Sequence, residues 1–243
     1  MMATQKKLLL LIGTGLASLL NHSAYAIWEN NWLLGLSGGY AQRQGDIEFI
    51  VNHPLGQITS ISHDQIDNGF IGGILGGYQA RCHDWLFGGE LNIEWQEVNR
   101  DQFYAFTDAI NNGANAHSSY SQRNVVALTG RFGYEMYPNF MPYIRLGVQS
   151  SRDKLIFSAI NTTMTEFIDT EAVRRVYRLT GGFGAEMPIC YLTGLSARAE
   201  YNFRARAGSI EASELANDNA TFVRASSRPK MHAFIFALVF NFV

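Results

Sequence analysis

The sequence lacks most of the features that mark helical membrane proteins and nucleic-acid-binding proteins. It has five prolines and two cysteines among 243 residues, and its formal net charge is only −2. Because a nucleic-acid-binding surface needs an excess of basic residues, we expect no nucleic-acid partner. After residue 26, no apolar run approaches the 18 residues that a membrane-spanning helix requires. Helical membrane insertion is therefore excluded for that part of the chain.

The one long apolar run lies at the N-terminus and is too short to span a bilayer. Two lysines precede the run Leu8–Leu20, and the tripeptide Ala24-Tyr25-Ala26 follows it. A basic segment, a short apolar segment and an A-x-A site are the three parts of a secretory signal peptide. We therefore predict a signal peptide at residues 1–26. A single β-barrel domain at residues 27–243 follows, because no proline- or serine-rich linker divides the rest.

Eight stretches of the remaining chain alternate apolar and polar residues with a period of two. The clearest is Trp85–Gln96, in which an apolar face with tryptophan near each end opposes a polar face. Short connections near 82–84, 137–141 and 188–190 alternate with four long ones, at Gln44–Gln65, Glu97–Ser121, Leu155–Val173 and Ala207–Ser227. This asymmetry is typical of outer-membrane barrels. The predicted fold is all-β: an eight-stranded antiparallel up-and-down transmembrane barrel with short periplasmic turns and four long outer loops.

The C-terminal stretch places five large apolar residues on every second position, and these are Phe234, Phe236, Leu238, Phe240 and Phe242. With the signal peptide and the alternating strands, this stretch resembles the small OmpA-like and opacity-protein-like outer-membrane barrels. In that family the last strand looks like the signal that the barrel-assembly machinery reads. The resemblance implies a location in the bacterial outer membrane. It also implies three partners: the assembly machinery, outer-membrane lipids and lipopolysaccharide.

The polar faces of the predicted strands carry five acidic and five basic side chains into a narrow lumen. An eight-stranded barrel is just wide enough for side chains to fill it, so these charges would have to pair with one another. We interpret them as an interlocked network that plugs the barrel; the alternative is an ion or solute pathway gated by the same pairs. The ten residues are Glu90, Glu94, Arg131, Glu135, Arg145, Arg178, Glu186, Arg198, Glu200 and Arg204.

The chain offers little sign of catalysis, and we expect neither an enzyme nor a bound cofactor or metal. His117 and Ser119 have the His-x-Ser spacing that resembles lipid A 3-O-deacylases, with Glu135 as the next acid, but they lie in a predicted polar loop. His53 and His63 have no accompanying metal-ligand spacing. Cys82 and Cys190 lie in predicted periplasmic turns, where a disulfide is chemically allowed, although two distant hairpins would have to meet. Their pairing is left open.

Function is expected to reside in the four long outer loops, which a rigid scaffold holds above the membrane. The leading hypothesis is a structural surface protein that adheres to, or binds ligands of, a host surface. The alternatives are a small-solute or ion channel and a lipid A-modifying enzyme. The loops contain aromatic residues that would serve binding, or would pack internally if the strands extend beyond the bilayer. These residues are Phe103, Tyr104, Phe106, Phe157, Phe167 and Phe222.

Overall fold

The computed structural model describes residues 30–52, 58–98, 101–107, 113–161, 167–190, 192–216 and 221–242. The signal peptide, His53 and Val243 lie outside these residues. Within them, no helix is long and apolar enough to cross a membrane. Eleven strands make up the structure: β1 (Asn31–Asn52), β2 (Ile58–Cys82), β3 (Trp85–Glu97), β4 (Asp101–Thr107), β5 (Gly113–Tyr134), β6 (Met141–Asn161), β7 (Phe167–Pro188), β8 (Leu195–Arg204), β9 (Ile210–Leu215), β10 (Phe222–Ser227) and β11 (Lys230–Phe242).

Eight of these strands form a closed ring in the order β1-β2-β3-β5-β6-β7-β8-β11. The ring closes where β11 pairs antiparallel with β1, from Trp32 opposite Phe242 to Gln44 opposite Lys230. Closure leaves no free sheet edge in this part of the chain, as a membrane-spanning sheet requires. The close approach of the two strands needs glycine, because a Cβ atom at Gly39 would lie 2.1 Å from the carbonyl oxygen of Phe234. The predicted eight-stranded barrel is confirmed.

The outer surface of the ring is apolar, as the alternation predicted. On β1, Trp32, Leu34 and Leu36 are exposed, whereas Leu33 is buried. Trp85 and Trp95 are exposed at the two ends of β3, where amphipathic rings suit the membrane–water interfaces. The five apolar residues of the C-terminal strand all lie on this outward face: Phe234, Phe236, Leu238, Phe240 and Phe242. Their reading by the assembly machinery stays a prediction.

The four long outer connections differ from the predicted loops, because most of their residues extend strands of the ring or form β4, β9 and β10. Five strands of the ring contain between 21 and 25 residues, about twice the 9–11 that cross a bilayer. In the first predicted loop, for example, β1 runs to Asn52 and β2 already begins at Ile58. Most outward side chains of these extensions are polar, although Ile66, Ile160 and Val173 are exposed there. The regular apolar alternation that marks a lipid-facing strand therefore stops while the strand continues.

Above the membrane the ring separates into two facing sheets. One contains β9-β10-β1-β2 and the other β4-β5-β6-β7. Pairing of β2 with β3 ends at Phe70 opposite Glu97, and pairing of β7 with β8 ends at Thr180 opposite Arg204. Between the two sheets lies an apolar core formed by Ile47, Phe49, Ala116, Tyr120, Leu155, Phe157, Ile168, Ile210, Ala212, Ala216, Val223 and Ala225. A barrel with a polar lumen thus carries a β-sandwich, which we call the extracellular sandwich.

Candidate functional site

The centre of the barrel lumen contains four fully buried charged side chains from four strands. Arg198 on β8 donates from Nη1 to Glu90 Oε1 at 2.6 Å and from Nε to Glu186 Oε2 at 2.7 Å. Arg131 on β5 contacts the same two carboxylates, with 3.4 Å between its Nη1 and Glu90 Oε1. Ser196 Oγ donates to Glu186 Oε1 at 2.5 Å. Each arginine therefore contacts both carboxylates, and each of the four charged side chains has at least two partners of opposite charge.

A second cluster lies beside this centre. Arg145 Nη1 is 2.5 Å from Glu200 Oε2, and its Nη2 donates to Thr129 Oγ1 at 3.0 Å. The Tyr143 hydroxyl also donates to Glu200, and the guanidinium of Arg131 lies 4.0 Å from the centroid of the Tyr143 ring. The cation–π contact thus joins the two clusters. Arg204 pairs with Glu94 toward the extracellular end.

The remaining two predicted residues lie away from the centre. Glu135 does not join the central network: it follows the end of β5 at the periplasmic end and pairs there with Arg81. Arg178 lies toward the extracellular end, where it pairs with Asp153 and donates to the Tyr120 hydroxyl at 3.0 Å.

Sequence reasoning missed two lumen ion pairs near the extracellular end. Arg43 Nη2 is 2.6 Å from Asp67 Oδ2, and both side chains are buried. The guanidinium of Arg43 also lies 4.5 Å from the centroid of the Tyr120 ring. Asp153, the partner of Arg178, was also missed. The signal was present in the sequence, because Arg43 lies an even number of positions from the buried Leu33 and so continues the inward face of the first alternating stretch.

The extracellular ends of β4, β5, β6 and β7 enclose a cleft with a volume of about 700 Å³, which we call the outer cleft. Its walls are mainly apolar. The residues that line it include Phe103, Tyr104, His117, Ile160, Ile168 and Asp169.

The aromatic side chains of the outer cleft are held by their neighbours. The Tyr104 ring packs edge-on against Phe49 and His63, with centroid distances of 5.5 and 4.8 Å. Its hydroxyl donates to Gln102 Oε1 at 2.5 Å, and burial raises the pKa of Tyr104. Phe103, in contrast, is 80% exposed and touches the ring of His117 at a centroid distance of 4.8 Å. The cleft thus has a fixed wall at Tyr104 and an accessible aromatic side chain at its rim.

The His-x-Ser pair occupies a different setting from the one predicted. His117 and Ser119 lie in strand β5 rather than in a loop, and both are partly exposed. The acid near them is Asp101, whose Oδ1 is 3.6 Å from His117 Nε2 and which lies opposite Ser119 in the β4–β5 ladder. Glu135 is at the other end of the barrel. The structure therefore does not bring these two residues together with Glu135.

The structure also describes the residues considered for a metal site and for a disulfide. Among the described residues, no group of three or more histidine, cysteine or acidic side chains is arranged to hold a metal ion. Cys82 and Cys190 are both free thiols, the first exposed and the second partly exposed.

No family model and no curated protein sequence matches the chain. Solved structures do match. The outer membrane protein OprG from Pseudomonas aeruginosa is 12% identical, with a TM-score of 0.51 over 89% of this chain and 99% of that one. The outer membrane protease OmpT from Escherichia coli is 8% identical, with a TM-score of 0.49 over 87% and 97%. Neisserial surface protein A is 13% identical, with a TM-score of 0.36 over 84% and 97%.

The expectation that the chain is not an enzyme is corrected by one of these matches. The similar structures include an outer membrane protease. The match to OprG, which covers nearly the whole of both chains, concerns the fold. Together with the closed ring of eight strands, it shows that the chain has the fold of the small eight-stranded β-barrels of the bacterial outer membrane.

Proposed function

We propose that the protein binds a ligand at the cell surface through the outer cleft, and that it attaches to host surfaces by this means. The observation that carries the proposal is a cleft of about 700 Å³ with mainly apolar walls on the part of the molecule outside the membrane. Ligand sites in proteins are typically concave, largely apolar and of this size, with a few polar groups that fix orientation.

The outer cleft is preformed, which favours binding. Its floor rests on the core of the extracellular sandwich, where the rings of Phe49 and Phe157 pack with their centroids 4.8 Å apart. Ile168 contributes to both the cleft and this core. A ligand that enters a rigid cleft avoids the entropic cost of ordering a loop, so more of the contact energy appears as affinity.

The side chains of the outer cleft favour a ligand with an aromatic or branched apolar group. Phe103 and Ile160 supply exposed apolar surface, and His117 and Asp169 supply polar groups. Asp101, close to His117, adds a second carboxylate on the outward face. An apolar group that carries a hydrogen-bond donor or a positive charge, such as an aromatic or basic side chain of a host protein, matches this combination.

The test compares two aromatic residues on opposite sheets of the extracellular sandwich. Refolded wild type, Phe103→Ala and Phe222→Ala are tested for binding to cultured epithelial cells and to arrayed extracellular-matrix proteins. Phe103 lies in the outer cleft, whereas Phe222 is a partly exposed aromatic residue on β10. Loss of the apolar surface that Phe103 buries should weaken binding by about tenfold, and Phe222→Ala should bind within about twofold of wild type. Equal binding by wild type and a Phe103→Ala/Ile160→Asn double variant would refute the proposal.

A further inference from the structure

Three arginines stand side by side on the outer surface of β5, β6 and β7. Arg123 lies opposite Arg152 in the β5–β6 ladder, and Arg152 lies opposite Arg175 in the β6–β7 ladder. All three side chains are exposed, whereas the neighbouring Gln122, Asp153 and Val176 are buried. We call these three residues the arginine row.

The arginine row lacks the counter-charges that the arginines of the barrel lumen have. Like charges directly opposite each other in a sheet are destabilising. In the lumen, arginines such as Arg43, Arg178 and Arg198 pair with a carboxylate, but the row forms no ion pair with any residue that the structure describes. The nearby Glu171 is 2.7 Å from Lys154 Nζ and is therefore already paired. The row presents three guanidinium groups to whatever lies outside the protein.

The arginine row lies directly above the part of the surface that faces lipid. The next outward positions toward the periplasm are Val126, Ser150 and Tyr177, which are in register with one another. Below them come Leu128, Val148 and Leu179, of which Leu128 and Leu179 are 60% and 69% exposed. This sequence of a charged row, a tyrosine and an aliphatic band is the order expected where the headgroup region of the outer leaflet meets its hydrocarbon core.

We propose that Arg123, Arg152 and Arg175 bind the phosphate groups of a phosphorylated glycolipid of the outer leaflet. Guanidinium groups form paired hydrogen bonds with phosphate oxygens and are the side chains that proteins favour for this contact. Because adjacent strands are about 4.8 Å apart, the row extends over about 10 Å, enough for more than one phosphate. The acyl chains would lie along the aliphatic band below. The site lies outside the outer cleft, so a result that contradicts one of the two proposals does not affect the other.

Arg123 differs from the other two residues in its surroundings. It lines an opening of about 560 Å³ between β3 and β5, together with Trp95, Glu97 and Asn124. Glu97 is the acidic residue on this outward side of the opening. It weakens the attraction of Arg123 for an anion, so Arg152, in the middle of the row, contributes most to phosphate binding.

The test removes the arginine row and compares it with a variant of equal charge. The variants are R123Q/R152Q/R175Q and, as a control, R206Q/R224Q/R228Q, which removes three exposed arginines elsewhere outside the membrane. Each is refolded in zwitterionic detergent, and folding is checked by the mobility shift of the unboiled barrel in gel electrophoresis. Binding of bisphosphorylated lipid A, of its dephosphorylated form and of inorganic phosphate is then measured by titration calorimetry.

We expect wild type and the control to bind bisphosphorylated lipid A within about twofold of each other. Loss of Arg152 should weaken binding by about tenfold, because a charge-assisted hydrogen bond is typically worth that much or more, and loss of Arg123 should weaken it by less. The single variant R152K, which keeps the charge but not the paired geometry, should bind more weakly than wild type and more tightly than R152Q.

Three results would overturn the proposal. The first is equal affinity of the folded triple variant and wild type for bisphosphorylated lipid A. The second is equal affinity of wild type for the dephosphorylated lipid. In the third, inorganic phosphate binds as tightly as the lipid, which would assign the arginine row to a soluble anion.

Discussion

Replacing Arg198 with methionine is the sharpest test of the lumen network, because two carboxylates would lose a partner at once. Arg198 donates to Glu90 at 2.6 Å and to Glu186 at 2.7 Å, and all three side chains are fully buried. Breaking a buried ion pair by removing one partner typically costs about 3–5 kcal/mol. Arg131 still contacts both carboxylates and offsets part of this cost. We therefore expect the free energy of unfolding to fall by about 3 kcal/mol.

The assay is urea unfolding of the barrel in lipid vesicles, followed by tryptophan fluorescence. The matched control is Arg224→Met, since Arg224 pairs with Glu211 at 2.5 Å but both side chains are more than 40% exposed. An exposed pair of this kind contributes at most about 1 kcal/mol. If the Arg198 variant unfolds within about 1 kcal/mol of wild type, the lumen is hydrated and the network does not serve as a buried plug.

Conductance through the lumen, closure of the ring at Gly39 and the reactivity of Cys82 can each be tested separately. Planar bilayers containing the protein should show negligible conductance, because paired charges occupy the lumen; a large, stable single-channel current would contradict this. Gly39→Val should abolish the heat-dependent gel shift, whereas Gly38→Val should keep it, because only at Gly39 would a Cβ atom meet backbone. An alkylating reagent should label Cys82 without prior reduction, because its thiol is free and exposed; labelling only after reduction would indicate a disulfide.

The part of the fold that faces lipid could be predicted because apolar side chains there point outward and polar side chains point into the lumen. The alternation of Trp85–Gln96 gave the correct face for each residue, and the turn at His83 and Asp84 is as short as expected. The extensions above the membrane could not be predicted in the same way. There Ile47 and Phe49 point inward and polar residues point outward, so the rule that identified the strands gives the opposite face.

The two candidate sites depend on register, which a single sequence does not reveal. Arg123, Arg152 and Arg175 are more than 20 residues apart along the chain and become neighbours only through the pairing of three strands. A bulge in β5, at Asn124 with a φ of 50°, turns Arg123 to the outside. Without that irregularity, simple alternation from Val126 would place position 123 on the inner face.

Because the upper strands separate into two sheets, the extracellular sandwich and the membrane-spanning barrel differ in how firmly their strands are held. In the membrane, unbroken hydrogen-bonded ladders hold each strand to both neighbours. In the described part of the extracellular sandwich, no ladder joins β2 to β4 or β7 to β9. The two sheets are held together there by side-chain packing and by side-chain hydrogen bonds, such as the one from Arg43 to the carbonyl oxygen of Tyr120. A change in the core around Phe49 or Phe157 would loosen the sandwich and leave the barrel below intact. The surface-exposed half is therefore free to vary in sequence without endangering the half that keeps the protein in the membrane.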